Sequence, residues 1–131
     1  MNYSNSLFIK KRIVVAEDDK DMLLIIMKLL RGKGYEVLGL TNGTSIVEGL
    51  GDWPDLFVLD KEMDFIDGVA ITKYLKMHTI GKTIPIVMLS GSSNRKNAAA
   101  AGVDFYMEKP FSTKEFLDRV DHYLNPAGGH L

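Results

Sequence analysis

Hydrophobic and polar positions follow two alternating periods along this chain. Short, β-branched apolar runs give way to stretches whose apolar residues recur every three or four positions. Arg12-Ile13-Val14-Val15-Ala16 is the first run. It has no polar alternate, which predicts a strand buried on both faces. Past Glu17-Asp18-Asp19 the period lengthens. Met22, Leu23, Ile26, Leu29 and Leu30 share one helical face, and Gly32 and Gly34 supply the stop. Asp19 suits the N-cap of that helix, and Asp21 adds favourable charge to its first turn. Tyr35–Leu40 reads as a second strand, Thr41-Asn42-Gly43 as a turn and Thr44–Leu50 as a short helix. Pro54 then pushes Trp53 out of the helical region.

Leu56–Asp60 is the third strand, an apolar run that stops on an acid. Asp67-Gly68 opens a third helix to about Thr79, and Thr83–Ser90 is a fourth strand with Pro85 tolerated near its start. Ser92 or Ser93 suits the cap of an alanine-rich helix over Asn94–Ala101, which Gly102 ends. Phe105-Tyr106-Met107 is a short fifth strand. Ser112-Thr113-Lys114-Glu115 is a capping box, and Phe116, Leu117, Val120, Tyr123 and Leu124 line the last helix. Five strands alternating with five helices predict an α/β fold, a doubly wound parallel sheet covered on both faces. Right-handed crossovers bring every strand's carboxyl end to one rim, where open α/β sheets place their chemistry.

Composition narrows the function classes. The 131 residues suit one domain with one core, 46% hydrophobic and 25% charged. Sixteen basic against seventeen acidic residues leave a net charge of −1, which gives no electrostatic reason for direct nucleic-acid binding. The absence of cysteine excludes disulfides, thiolate nucleophiles and cysteine-based zinc sites. No apolar stretch is long enough for a signal peptide core or a membrane span, so a cytoplasmic location is expected.

The rim gathers Glu17 and Asp18 from the first strand, Asp60 from the third, Ser90 and Gly91 from the fourth and Glu108-Lys109-Pro110 from the fifth. Clustered carboxylates repel one another unless a cation sits among them. Oxygen ligands select a hard ion such as Mg²⁺, which commonly shares itself with a phosphate. Asp60 is then placed to become an aspartyl phosphate, with Lys109 and the Ser90 hydroxyl holding the phosphoryl oxygens.

Four motifs carry a family resemblance. They are Ala16-Glu17-Asp18-Asp19; Asp55-Leu56-Phe57-Val58-Leu59-Asp60 with Asp67-Gly68; Pro85-Ile86-Val87-Met88-Leu89-Ser90-Gly91; and Ala100-Ala101-Gly102-Val103-Asp104-Phe105-Tyr106-Met107-Glu108-Lys109-Pro110-Phe111. In this order, each on a predicted strand end, they resemble the receiver domain of two-component response regulators. The likeness runs from Arg12 to Leu124. It implies a flavodoxin-like fold with sheet order 2-1-3-4-5. It divides the chain into an N-terminal extension (1–11), the receiver (12–125) and a flexible tail or linker (126–131).

The resemblance also implies roles. Asp60 matches the phosphoacceptor, Asp18 a direct Mg²⁺ ligand, Glu17 a ligand through water, and the Glu62 backbone carbonyl a further metal contact. Lys109 and Ser90 match the conserved lysine and hydroxyl, and Tyr106 the aromatic switch residue that follows Ser90 and reshapes the face of the fourth helix, fifth strand and fifth helix. A cis Lys109-Pro110 bond is implied as well. The implied partners are a sensor histidine kinase or phosphotransfer protein and a downstream protein or output domain, with a phosphorylation-dependent dimer possible. Receivers catalyse their own phosphorylation and dephosphorylation and are not turnover enzymes.

Two departures stand beside the match. Asp64 occupies a position where many receivers have proline, and the Glu62 side chain adds a carboxylate next to the site. Glu62 is open to pairing with Lys61, repelling a phosphoryl group or biasing an attacking water, and Glu62 with Ser92 is expected to set the phosphoryl lifetime. Three other readings compete. A pseudo-receiver would keep the fold without phosphorylation. A haloacid-dehalogenase-type phosphatase would need an aspartate where Glu62 stands. A flavodoxin-like cofactor binder would need a phosphate-cradling loop where Glu17-Asp18-Asp19 lies. Asp19 is read as a cap and not as a ligand.

Overall fold

A computed structural model describes residues 9–126. Most of the proposed N-terminal extension and of the tail lie outside the described residues. Among the described residues the order is β1 (Arg12–Ala16), α1 (Lys20–Gly32), β2 (Glu36–Leu40), α2 (Thr44–Glu48), β3 (Leu56–Asp60), α3 (Gly68–Lys76), β4 (Ile86–Ser90), α4 (Lys96–Ala101), β5 (Phe105–Glu108) and α5 (Thr113–Leu124). A 3₁₀ turn over Gly81–Thr83 precedes β4. The strands pair in parallel in the order β2-β1-β3-β4-β5, as expected from the resemblance.

The pleat divides the apolar runs between the two faces of the sheet. Ile13 and Val15 of β1, Leu56 and Val58 of β3, and Val87 and Leu89 of β4 pack with Ile26 and Leu30 of α1 and Phe116 and Val120 of α5. Val14, Ala16, Phe57, Leu59 and Ile86 face the other way, onto Ile46 of α2 and Ile71 and Leu75 of α3. All residues of β3 and β4 are buried, which is why these strands show no polar alternation. Each large apolar side chain among them contributes about 1.5–3 kcal/mol when fully buried.

Helix starts follow their caps. Asp19 Oδ1 accepts from the amides of Asp21 and Met22 at 3.0 and 3.2 Å, opening α1. Asp67 Oδ1 accepts from Ala70 N at 2.8 Å, and Ser112 Oγ from Glu115 N at 3.1 Å, opening α3 and α5.

Four boundaries differ from the pattern-based expectation by two residues or more. α2 stops at Glu48 because Gly49 turns to φ 105°, a conformation suited to glycine. α3 stops at Lys76, short of Thr79, since the chain enters the 3₁₀ turn. β4 therefore begins at Ile86, whose amide donates to Asp104 Oδ2, and not at Thr83. α4 begins at Lys96, and neither Ser92 nor Ser93 caps it. Asn94 Oδ1 instead accepts from Lys96 N at 3.2 Å, while Ser92 Oγ accepts from Asn94 N.

Candidate functional site

The pleat that sorts the core also sorts the rim. Continued by two positions, the α1/α5-facing rows of β1, β3 and β5 reach Glu17, Asp60 and Lys109. Register pairs Ala16 with Leu59, so Glu17 falls beside Asp60. Ser90 has the opposite parity. It shares the other face with Met88 and Tyr106, which pack on Ala98 of α4. The rim thus has an ionic half and a hydrogen-bonded half.

In the ionic half, Glu17 and Asp60 are almost fully buried, at 1% and 3% exposure. Lys109 Nζ donates to Glu17 Oε1 at 2.9 Å and lies 3.4 Å from Asp60 Oδ1. Glu17 Oε2 accepts from the Asp19 amide at 3.1 Å. Glu17, Asp18 and Asp60 each present one oxygen within 4.8 Å of the others. Burial, followed by the hydrogen bond and charge of Glu17, pushes the Asp60 carboxyl up to about 7. Lys109 and the Glu62 amide, which donates to Asp60 Oδ1 at 3.2 Å, pull the other way. Burial also works against the Lys109 ammonium, but the bond to Glu17 and the charges of Asp60 and Glu17 prevail and hold its pKa above the usual lysine range.

Three clustered carboxylates, two of them paired with one ammonium, are an all-oxygen donor set short of positive charge. Such a set suits a hard divalent ion better than a soft one. The resemblance-based ligands Glu17, Asp18 and Asp60 are therefore brought together.

The hydrogen-bonded half was harder to foresee. Ser90 is fully buried. Its hydroxyl donates to Glu62 Oε2 at 2.7 Å and accepts from the Ser92 amide at 3.0 Å. Gly91 N donates to Glu62 Oε1 at 3.2 Å. Glu62 does not pair with Lys61, since Lys61 Nζ reaches across to the Asn94 carbonyl at 2.7 Å. Tyr106 is buried, and its hydroxyl donates to the carbonyls of Ser92 at 2.6 Å and Asn94 at 3.3 Å. The Lys61 ammonium and Arg95 guanidinium lie 5.5 and 5.3 Å from the centre of its ring. Two consecutive residues after Asp60 thus grip the segment after β4. The only sequence signal for this was the polarity of Lys61-Glu62.

Gly68 holds the other end of the connection after Asp60. A Cβ there would come within 2.5 Å of the Asp60 carbonyl oxygen, so the start of α3 needs glycine to approach β3 this closely. Between them, Ile66 N donates to Asp64 O at 2.8 Å around Phe65, whose φ is 68°. Asp64 in place of proline therefore sits in a tight three-residue turn. The Lys109-Pro110 bond is cis.

The family model of the response regulator receiver domain matches residues 13–121. The chain belongs to the response regulator receiver family. Among curated relatives, this receiver domain is 32% identical over 114 residues to the phosphate regulon transcriptional regulatory protein PhoB of Escherichia coli K12. The match covers 84% of the chain and 50% of PhoB, so the chain spans about half the length of the curated relatives it matches. The signal receiver domain of a signal transduction histidine kinase from Syntrophus aciditrophicus superposes with a TM-score of 0.82 at 26% identity, covering 89% of this chain and 92% of that one. The receiver domain of the sensor histidine kinase PA1611 from Pseudomonas aeruginosa PAO1, solved with magnesium in its active site cleft, shares the fold (TM-score 0.80, 24% identity, 88% and 98% covered). Receiver domains are modules of phosphorelay signalling and not conventional enzymes, and this one belongs to that class. No helix among the described residues is long and apolar enough to cross a membrane.

Proposed function

We propose that this receiver accepts a phosphoryl group on Asp60 from a phosphohistidine donor, in a reaction that depends on Mg²⁺. The observation that carries this reading is the buried Asp60–Glu17 pair bridged by Lys109. An ionised Asp60 oxygen attacks phosphorus. The new O–P bond forms as the P–N bond of the donor breaks, and the histidine nitrogen leaves with the electron pair. Lys109, freed from one of its two carboxylates, neutralises a phosphoryl oxygen, and the Ser90 hydroxyl donates to another. Asp18, Asp60 and the Glu62 backbone carbonyl would hold the metal directly, and Glu17 would act through water. Bound Mg²⁺ supplies charge neutralisation for the carboxylates and the incoming phosphoryl oxygens.

The engagement of Ser90 is read out through Tyr106, whose hydroxyl holds the segment between Ser90 and α4. The face made by α4, β5 and α5 then changes its affinity for a downstream protein, an output domain or a second phosphorylated copy. The donor is a sensor histidine kinase or a phosphotransfer protein, and the setting is the cytoplasm. Glu62 and Ser92 tune how long the acyl phosphate lasts; an Glu62→Met variant with an unchanged decay rate would remove Glu62 from that role.

The test is direct. Incubation with acetyl phosphate and Mg²⁺, followed by intact mass measurement, should add one phosphoryl group, and the Asp60→Asn variant should add none. A wild-type protein that gains no mass from acetyl phosphate or from a phosphorylated kinase is a pseudo-receiver.

A further inference from the structure

We propose that the Glu62 carboxylate is a built-in occupant of the anion subsite formed by Ser90 and Gly91, which a phosphoryl group on Asp60 must displace. The proposal rests on Asp60 being the phosphoacceptor and assigns a positioning role to a side chain outside the acceptor and metal set.

The geometry is that of a carboxylate seated on two donors. Glu62 Oε2 takes the Ser90 hydroxyl at 2.7 Å and Oε1 takes the Gly91 amide at 3.2 Å. A serine hydroxyl has one hydrogen to donate. Here it is committed to Glu62, and the Ser92 amide on the Ser90 oxygen fixes the hydroxyl from behind. Ser90 is fully buried, so water is a poor substitute partner. A phosphoryl oxygen therefore cannot take the Ser90 hydrogen while Glu62 holds it. Two anions on one donor pair are also excluded by charge.

The grip is continued by neighbouring residues. Lys61 Nζ holds the Asn94 carbonyl, and Tyr106 holds the carbonyls of Ser92 and Asn94. Glu62 thus fastens the first residues of the segment whose later residues Lys61 and Tyr106 fasten. Filling the subsite with a phosphoryl oxygen exchanges an internal anion for an external one, and releases Glu62 toward solvent. The resting conformation of Ser90–Asn94 is in this way held by Glu62, Lys61 and Tyr106 and not by the acceptor.

Beryllofluoride with Mg²⁺, a phosphoryl analogue, tests the competition. Its affinity is read by isothermal titration calorimetry for wild type, Glu62→Ala, Ser90→Ala and the double variant. Glu62→Ala should bind about tenfold more tightly than wild type, the equivalent of one charge-assisted hydrogen bond no longer to be displaced. In the Ser90→Ala background the same substitution should gain at most about threefold. An undiminished gain there means that Glu62 acts through charge repulsion alone and overturns the proposal, as does no gain in either background. The latch is also read without any phosphoryl analogue. In metal-free protein the Gly91 amide proton should shift upfield in Glu62→Ala, and an unmoved resonance overturns the proposal. If no variant binds beryllofluoride, the phosphoacceptor reading fails, while the Gly91 resonance still decides the latch.

Discussion

The two edges of the sheet hold the same kinds of groups and use them differently. At the amino edge, Arg12 at the start of β1 pairs with Glu36 at the start of β2 at 2.8 Å and with Asp52 at 3.8 Å. Asp104, before β5, pairs with Lys76 at 3.5 Å. These side chains keep 22% to 85% of their surface in solvent. At the carboxyl edge, Glu17 and Asp60 are withdrawn from solvent and share Lys109 with Asp18 close by. Exposed pairs are worth little because water already satisfies both partners. Buried carboxylates outnumbering their cation are strained by repulsion that water cannot screen. The difference separates charges that decorate a fold from charges held in wait for a ligand.

The comparison can be broken most severely at Lys109. Lys109→Met removes the ammonium in contact with both buried acids and should cost about 2–4 kcal/mol in urea unfolding at pH 8. The loss should shrink at pH 5.5, where Asp60 takes up a proton; an equal loss at both pH values would contradict the ionic account. Gly68→Ala comes next. A methyl group pressed to 2.5 Å from the Asp60 carbonyl should cost about 1–3 kcal/mol and weaken Mg²⁺ binding, because β3 and α3 must separate.

Asp60→Asn should move stability the opposite way. Burial and Glu17 raise the Asp60 carboxyl to about 7 in the folded chain, above its unfolded value of about 4. Between those values the folded state keeps a proton that the unfolded chain has lost, so ionising Asp60 weakens the fold as pH rises through that window. The asparagine variant should therefore gain stability over wild type, by about 1–3 kcal/mol at pH 8 and nearly nothing at pH 4. Thermal melts at the two pH values measure it, and a pH-independent gain would rule the linkage out. Arg12→Gln marks the lower limit. It should cost less than about 1 kcal/mol and lose that effect in high salt.

Much of this was readable from the sequence because it depends on period and position. Unbroken runs such as Leu56-Phe57-Val58-Leu59 signal strands buried on both faces, and an acid ending such a run signals the rim. The motif resemblance then supplied the strand order, the members of the site and the cis peptide. What escaped depends on loop conformation. Ser92, Ser93 and Asn94 are all good caps, and propensity does not say which one the chain turns to the helix. The structure uses none of them at the N-cap, which falls on Arg95 without a side-chain bond: the Ser92 amide is held by Ser90, the Ser92 hydroxyl by Asn94, and Asn94 Oδ1 accepts from Lys96 N just past the cap. The Glu62–Ser90 contact joins a loop to a strand end 28 positions away, and Lys61 at Asn94 spans 33. No local pattern encodes either pairing, and Lys61 beside Glu62 invited the wrong partner.

The connection between β3 and α3 has a consequence for how such a module is altered. Lys61 N donates to Leu89 O at 2.8 Å and Gly68 N to Lys61 O at 3.0 Å, so one backbone knot ties the segment to β4 and a second ties its two ends together. The side chains of residues 62 to 66 take no part in those knots. Met63 and Ile66, by contrast, pack into the core with Ile71 and Leu75, so Asp64 and Phe65 are the outward positions that can be rewritten while the scaffold, and the position of Asp60 within it, stays as built.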